Sequence, residues 1–285
     1  MARSHSPTVR RRRLASELRR LRDLAELTID EVGEKLECSA SKISRIETGH
    51  VGVTPRDVRD MLELYGVHSE GLEELVQLSR EARKKGWWHN YSEVFTGAFV
   101  GLEAEAATLR AYQALLVPGL LQTADYTREV TRASRPDIPA AELDRRVSGR
   151  QARQKLLAEA DPPRYWAVID EAVLCRPVGG PKAMHSQMLR LIELAELPHV
   201  TVQIVPFSAG AHAGMEGAFL ILGFPEQADP DVVYVENTST GQYLEEPPEI
   251  LRYTLKFDHL RAMALGPDAT LEKIAEAATR YAEET

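Results

Sequence analysis

The sequence predicts a mainly α N-terminal domain of five helices, followed by an α+β domain with a small sheet. A chain of 285 residues is long enough for about two domains. Apolar residues recur at helical spacing as far as residue 84, and several short segments after residue 164 alternate apolar and polar side chains as strands do. The predicted organisation is a mobile tail (1–7), the helical domain (8–84), a linker with an aromatic joint (85–100) and the α+β domain (101–285).

Charge is divided unevenly along the chain. The net charge is −8, but residues 1–60 hold thirteen basic and ten acidic residues, a balance of +3, and the rest of the chain carries −11. Residues 1–22 alone contain eight arginines and one acidic residue. A basic head on an acidic body is typical of a protein that binds nucleic acid through its head alone.

Composition argues against several classes of protein. No apolar run approaches the roughly 18 residues that a membrane-spanning helix needs. No apolar segment follows the N-terminal arginines, as it would in a secretory signal. The two cysteines, Cys38 and Cys175, have neither zinc-site nor disulfide spacing. We therefore expect a cytoplasmic protein.

Two short helices joined by a tight turn are predicted within residues 28–49. Thr28 and Glu31 have the spacing of a capping box, in which each side chain bonds the other residue's backbone N–H. Ser39 can cap the second helix, and Gly49 can end it. The apolar face consists of Ile29, Val32, Gly33 and Leu36 in the first helix and of Ile43 and Ile46 in the second.

The outward face of the second helix is narrow, polar and basic. A helix this slim fits the major groove of DNA, where serine, lysine and arginine side chains reach base edges and phosphates. The alternative is a helical hairpin inside a larger bundle. The residues predicted to contact bases are Ala40, Ser41, Ser44 and Arg45.

This stretch resembles the helix-turn-helix of the Cro/C1 type, also called the xenobiotic-response-element (XRE) type, through the run TIDEVGEKLECSASKISRIETG. The resemblance implies a DNA-binding transcriptional regulator. It also implies that Arg22 pairs with Glu47 and so fixes the angle between helices. Ala15 and Gly33 stand where glycine and alanine are common in the family, and both keep the side chain small.

Phosphate contacts are expected beside the second helix. Four consecutive arginines begin the first predicted helix, which Thr8 can cap and which runs to about Leu27. Cations at a helix N-terminus oppose the helix dipole, so these arginines do not stabilise the helix. Phosphate contact accounts for them, and a solvated charge run is the alternative. The predicted phosphate contacts are Arg10, Arg11, Arg12, Arg13, Thr28, Ser39 and Lys42.

An aromatic cluster follows the helical domain. Thr54-Pro55 starts a fourth helix, and a fifth runs from about Ser69 to Lys84. The boundary is predicted at residues 84–86. Beyond it, an effector pocket or hinge is one interpretation of the aromatic residues, and packing of the linker against the domain is the other. These residues are Trp87, Trp88 and Tyr91.

The α+β domain is predicted to contain a small sheet and no run of βαβ units. A helix is expected from about Leu102 to Tyr112, and Thr123 can cap the next. Predicted strands cover residues 165–169, 200–205, 218–224, 232–235 and 242–244, and the remaining predicted helices cover about 123–133, 140–160, 183–197, 248–265 and 269–283.

This second domain resembles the uncharacterised domain that follows such a helix-turn-helix in many regulators of Streptomyces and related actinomycetes. The segments that carry the resemblance are GWW, VPGLLQT, RQ, DEAVL and VYVE, between residues 86 and 236. The resemblance implies a transcriptional regulator that is often paired with a small partner protein encoded nearby, in an arrangement described as antitoxin-like. It implies no ligand and no catalytic residues.

Few residues of this domain are candidates for chemistry. Asp170 and Glu171 could form an acid/base pair, but adjacent residues at the end of a strand point in opposite directions. The alternative is that Asp170 caps the helix that follows. His212 lies in a glycine-rich loop that either closes over a ligand or is a surface connection. Cys175 is either a reactive thiol or a half-buried structural cysteine. Because catalytic and metal-binding motifs are missing, we expect no cofactor, no metal and no enzymatic activity.

Together these features predict a sequence-specific DNA-binding regulator, controlled through its C-terminal domain by a ligand or a small partner protein. A homodimer that reads a near-palindromic operator is expected, because a single helix-turn-helix reads a short half-site. The alternative is an antitoxin-like interaction module whose DNA binding is autoregulatory. An enzyme with a DNA-binding head is a third and weaker hypothesis.

Overall fold

A computed structural model of the protein describes residues 7–68, 70–83, 87–91, 94, 98–226, 229–236 and 241–285. The chain forms two compact units. The described residues of the first unit lie within Met1–Ser92 and Thr96–Glu105, and those of the second within Glu93–Phe95 and Ala106–Thr285. Most of the predicted N-terminal tail and the predicted boundary at 84–86 lie outside the described residues.

Helices make up the first unit, as predicted. The predicted start of the first helix is wrong by two residues, because the helix begins at Pro7 and Thr8, predicted to cap it, lies inside it. Proline is favoured in the first turn of a helix, where its missing N–H is not needed. The helices are α1 (Pro7–Leu24), α2 (Ile29–Lys35), α3 (Ala40–Glu47), α4 (Pro55–Leu64), α5 (Glu70–Glu81) and α6 (Phe99–Glu103).

Local capping sets the boundaries of α2, α3 and α4. Thr28 and Glu31 form the predicted capping box at the start of α2. Thr54 and Asp57 form a second capping box at the start of α4. The Ser39 hydroxyl accepts the backbone N–H of Lys42 at the start of α3. Each cap satisfies a backbone donor that the first helical turn leaves unpaired.

The core of the first unit is built from α1 to α5. Its fully buried members come from every one of these helices, which explains why a run of short helices makes a stable unit. The core residues are Leu14, Leu18, Val32, Ile43, Ile46, Val53, Val58, Met61, Leu62, Tyr65, Leu72 and Val76.

The second unit combines six strands with six α-helices among the residues that the structure describes. Its strands are β1 (Thr108–Gln113), β2 (Arg164–Asp170), β3 (Val200–Val205), β4 (Phe219–Gly223), β5 (Val232–Glu236) and β6 (Gly241–Leu244). Its helices are α7 (Ala124–Ser134), α8 (Ala140–Gln154), α9 (Ala172–Cys175), α10 (Pro181–Ala195), α11 (Pro247–Met263) and α12 (Pro267–Glu283).

The strands form one mixed sheet in the order β3-β2-β1-β4-β5-β6. The α+β class is therefore confirmed, but two details of the prediction are wrong. The segment predicted as a helix from Leu102 to Tyr112 contains β1, which lies in the middle of the sheet. The pairs β1–β2 and β2–β3 are parallel, and α7 with α8, then α9 with α10, connect them, so half of the sheet is built from βαβ units.

Helices cover both faces of the sheet. On one face, Tyr112 of β1 lies opposite Val168 of β2 and Phe219 of β4, and Phe257 and Leu260 of α11 pack against this layer. On the other side, α10 and α12 contact each other and β3. Burial on both faces is what parallel strands require, and it removes the alternating pattern that would identify them in a sequence.

Buried tyrosines make the stability of the fold sensitive to alkaline pH. Burial raises the pKa of Tyr65, Tyr112 and Tyr234 far above the ordinary value of about 10. The unfolded chain loses these protons at about pH 10, whereas the folded chain keeps them. The free energy of unfolding is therefore expected to fall as the pH rises above about 10.

A spectrophotometric titration of tyrosinate, combined with urea unfolding at increasing pH, measures this effect. We expect some of the nine tyrosines to titrate only as the protein unfolds. Tyr65→Phe should remove one late-titrating group with little loss of stability at neutral pH, because the Tyr65 hydroxyl has no hydrogen-bond partner among the described residues. Titration of all tyrosines together near pH 10, with no loss of stability, would contradict the prediction.

Candidate nucleic-acid interface

A tight turn places α3 against α2. Glu37 adopts a left-handed backbone conformation with φ 50°, and the Cys38 N–H donates to the Gly33 carbonyl at 2.8 Å. A Cβ built on Gly33 would lie 2.8 Å from the Cys38 carbonyl oxygen, so the glycine lets the turn pack closely on α2. An alanine at this position would therefore require the backbone of the turn to shift.

The two sides of α3 differ sharply in burial. Ile43 and Ile46 are buried in the core of the first unit. Ser41, Lys42 and Arg45 are exposed on the opposite side. This leaves one polar, basic face on a helix of eight residues, the shape and chemistry that the major groove accepts. Of the other predicted contact residues, Ala40 and Ser44 are half-buried beside that face, and Ser39 is exposed at its start.

Neither basic side chain of this face is paired inside the first unit. Among the residues that the structure describes, neither Lys42 nor Arg45 has an ion-pair or hydrogen-bond partner for its side chain. The Ser39 hydroxyl accepts the Lys42 backbone N–H at 3.2 Å, and its own proton is left to donate outward. The face therefore offers two cations and a hydroxyl donor to a phosphate or a base edge.

The predicted pair of Arg22 and Glu47 is present. The Arg22 guanidinium donates to both carboxylate oxygens of Glu47, at 2.8 and 2.9 Å, and a third hydrogen bond of 2.8 Å reaches the Leu27 carbonyl. The side chains are 11% and 4% exposed. The bond to Glu47 raises the pKa of Arg22. The pair joins the end of α1 to the end of α3, so it fixes the orientation of α3.

The four arginines at the start of α1 are not equivalent. Arg10 forms an ion pair with Glu81 of α5 at 3.2 Å, and both side chains are largely buried. Arg11 and Arg12 are half-buried, whereas Arg13 is exposed. The phosphate contacts predicted for this run stay predictions, and the structure favours Arg13 over Arg10 because Arg10 already has a partner.

The start of α1 lies beside the end of α3. Gly49 follows α3 with φ 70°, a conformation that glycine adopts without strain. A Cβ built there would lie 4.0 Å from the Arg12 Cα and 3.8 Å from the Ala15 Cβ. Gly49 thus ends α3 as predicted, and the small side chain of Ala15 accommodates it.

The comparison with known families agrees with this geometry. A helix-turn-helix domain matches residues 13–75. A second family, described as a domain of unknown function (DUF5753), matches residues 96–276, which is more than half of the chain. The chain belongs to the DUF5753 family. No curated protein and no solved structure matches the chain. No described helix of this DUF5753 protein is long and apolar enough to cross a membrane.

The hydroxyl of Thr28 is already committed inside the first unit. It accepts the Glu31 backbone N–H at 3.2 Å and donates its proton to the Glu31 carboxylate at 2.8 Å. The Thr28 backbone N–H also donates to this carboxylate, at 2.8 Å, and this bond first, then the one from the hydroxyl, lower the pKa of Glu31. A phosphate contact from Thr28, as predicted, would have to compete with a nearby carboxylate.

Thr28→Ala and Thr54→Ala form a matched pair that separates capping from phosphate contact. Each substitution removes the hydroxyl of a capping box and should lower the free energy of unfolding by about 0.5–2 kcal/mol. We expect no further loss of DNA affinity in Thr28→Ala, because the hydroxyl proton is engaged. Urea unfolding and fluorescence anisotropy with labelled DNA measure the two effects. A loss of affinity confined to Thr28→Ala would show that Thr28 contacts phosphate.

The aromatic cluster forms a short 3-10 helix, Trp87–Tyr91, within the first unit. The Trp87 ring stands edge-on to Trp88 and to Tyr91, with centroid distances of 6.0 and 6.2 Å. Trp87 is 36% exposed. Edge-to-face contacts of this kind stabilise the cluster itself, and its role as an effector pocket or hinge stays a prediction.

The structure brings together two residues of the DUF5753 region that the sequence does not link. Asp170 at the end of β2 lies 3.3 Å from His212 in the loop between β3 and β4. Glu171 instead pairs with Lys273 at 2.8 Å, so it does not share a site with Asp170. Asp170 accepts the Ala172 backbone N–H at the start of α9, close to the predicted cap. Cys175 is exposed, not half-buried as expected.

No group of side chains in the described part of the chain has the composition of a metal site. The Asp170–His212 pair could be found from sequence only by knowing that β2 and β3 are parallel neighbours, because Asp170 ends β2 and the loop that carries His212 follows β3 at the same edge of the sheet. The pair lies outside the helix-turn-helix and belongs to the second unit.

Proposed function

We propose that the protein is a sequence-specific DNA-binding transcriptional regulator of the Cro/C1 (XRE) type. The observation that carries the proposal is the exposed basic face of α3, opposite a buried apolar face and held in place by the Arg22–Glu47 pair. Ser41 and Arg45 read base edges, with Ala40 and Ser44 beside them. Lys42, Ser39 and Arg13 hold phosphates.

The proposed regulator acts as a homodimer on a near-palindromic operator. One α3 of eight residues reaches few base pairs, and two copies in adjacent major grooves double the length of sequence that is read. The balance of +3 in residues 1–60 and −11 in the rest supports DNA contact through residues 1–60. We place the protein in the cytoplasm, associated with the nucleoid, and assign it no enzymatic activity.

Control of DNA binding is assigned to the second unit, through a ligand or a small partner protein. An antitoxin-like module is the second candidate function, in which the acidic second unit neutralises a basic partner encoded nearby and DNA binding is autoregulatory. The surplus of acidic residues after residue 60 favours this candidate. Purification of the chain with the product of the neighbouring open reading frame, and the effect of that product on operator affinity, separate the two.

Selection of bound sites from a random double-stranded library tests the main proposal. The full chain should enrich an inverted repeat whose half-sites are about 10 base pairs apart or a multiple of this. A triple variant, Ser41→Ala with Lys42→Ala and Arg45→Ala, should enrich nothing, whereas Arg59→Ala on α4 should enrich the same repeat. Enrichment of the same sequence by the triple variant, or of no sequence by the native chain, would overturn the proposal.

A further inference from the structure

The parallel half of the sheet ends in a cluster of polar side chains. Tyr112 lies near the carboxyl end of β1, Asp170 is the last residue of β2, and β4 runs antiparallel beside β1. In sheets with parallel strands, ligands bind outside the carboxyl ends, next to the point where the strand order changes direction. Here that point lies between β1 and β4, because β2 and β3 lie on one side of β1 and β4 lies on the other.

His212 occupies this edge from the loop between β3 and β4. Its Nε2 lies 3.3 Å from Asp170 Oδ2, and the two side chains are 8% and 16% exposed. The Gly214 backbone N–H donates to His212 Nδ1 at 3.1 Å, which leaves the Nε2 side of the ring facing Asp170. The second oxygen of Asp170 accepts the Ala172 N–H at 2.9 Å. Asp170 is thereby held in a fixed orientation toward the imidazole.

Tyr112 contacts the His212 side chain as well as Asp170 does. Its ring is edge-to-face with the imidazole at a centroid distance of 5.9 Å. The side chain is fully buried, and its hydroxyl has no hydrogen-bond partner among the described residues. Burial raises the pKa of this hydroxyl, and the negative charge of Asp170 raises it further. A buried, unpaired donor beside a carboxylate costs free energy that a polar ligand recovers.

The loop of residues 206–218 is built as a cover over these side chains. Gly210 and Gly217 have φ values of 66° and 128°, conformations available to glycine at the two ends of the segment that carries His212. A Cβ on Gly214 would lie 2.7 Å from the Tyr112 hydroxyl oxygen, so the backbone rests directly on Tyr112. Outside, Met215 is 72% exposed, and Glu216 pairs with Lys256 of α11.

We propose that Asp170 and Tyr112 form a ligand-binding slot in the second unit, and that the His212 side chain occupies this slot in place of the ligand. The ligand is a small molecule that carries a planar cationic nitrogen group of the imidazolium or amidinium kind. The slot selects this chemistry because a carboxylate binds a nitrogen cation with N–H donors through charge-assisted hydrogen bonds. The ligand displaces His212 and releases the cover.

This inference rests on the proposed control through the second unit, since it names a ligand site for it. The experiment measures ligand binding without DNA, so its failure is distinguishable from a failure of the DNA-binding proposal. The probes are imidazole and pyrazole, two rings of equal size, of which only imidazole is extensively protonated near neutral pH. Thermal unfolding and isothermal titration calorimetry of the full chain give the shift in melting temperature and the affinity.

His212→Ala should have a lower melting temperature, and imidazole should restore it in a concentration-dependent way while pyrazole does not. Adding Asp170→Asn to this variant should weaken imidazole binding by about tenfold or more, the loss expected for a charge-assisted hydrogen bond. His199→Ala is the matched control, because His199 is a half-buried histidine of the same unit that bonds the Leu157 carbonyl. Imidazole should not restore that variant.

Gly214→Ala keeps Asp170 and His212, and its Cβ, which would lie 2.7 Å from the Tyr112 hydroxyl oxygen, forces the cover away from Tyr112. It therefore carries the test even if His212→Ala does not fold. This variant should bind imidazole more tightly than the native chain, and hydrogen exchange in residues 210–217 should quicken when imidazole is added. Equal effects of imidazole and pyrazole, equal rescue of His199→Ala, or no binding to either slot variant would overturn the proposal and leave the Asp170–His212 pair a structural contact.

Discussion

Arg22→Ala is expected to lower the free energy of unfolding of the first unit by about 3–5 kcal/mol, because it leaves a buried carboxylate without its partner. Glu47 is 4% exposed at its side chain, and both of its oxygens accept from Arg22. The substitution also removes the donor to the Leu27 carbonyl. Urea unfolding followed by circular dichroism, which reports mainly on helices, measures the loss.

The exposed pair of Arg59 and Glu73 is the matched control. It joins α4 to α5 at 2.9 Å with side chains 42% and 62% exposed. Arg59→Ala should cost about 0.2–1 kcal/mol, since solvent screens such a pair. The double variant Arg22→Met with Glu47→Met should recover much of the loss, because it leaves no unpaired buried charge. A cost of Arg22→Ala no larger than that of Arg59→Ala would contradict this account.

The first unit could be predicted in detail because its signals are local. Thr28 with Glu31, and Thr54 with Pro55, each lie within four residues of one another, and each marks a helix start that the structure shows. The pair of Arg22 and Glu47 is distant in sequence, and only the family resemblance pointed to it. Even here, the sequence could not show that Arg10 pairs with Glu81, because that contact depends on how α1 packs against α5.

The second unit was harder to predict because its sheet is assembled from distant segments. Strand β1 has partners that begin at Arg164 and end at Gly223, and nothing near β1 in the sequence reveals them. Leu109 and Tyr112 are also spaced as on one helical face, so a helix was the local interpretation. Without β1, the sequence gives no sign of the parallel pair that β1 forms with β2. For the same reason, the sequence does not show that Asp170 and Tyr112 lie close together.

Arg45→Ala is expected to weaken binding to the selected operator by about 1–3 kcal/mol and to relax specificity at one base pair of each half-site. Arg45 is exposed on α3, and its guanidinium has no partner among the described residues, so it is available to a base edge. Affinity for random DNA should fall much less. Fluorescence anisotropy with the operator, with single-base variants of it and with random DNA of equal length gives the comparison.

Lys42→Ala removes the same charge from the same helix and is therefore the informative companion of Arg45→Ala. If Lys42 holds a phosphate, its loss weakens binding to every sequence alike and reduces the dependence of log affinity on log salt by about one. Arg59→Ala, which removes a charge from α4, should change neither. An equal loss on operator and random DNA for Arg45→Ala would make Arg45 a phosphate contact, and base recognition would then rest on Ser41 and Ser44, the remaining hydrogen-bonding side chains of that face.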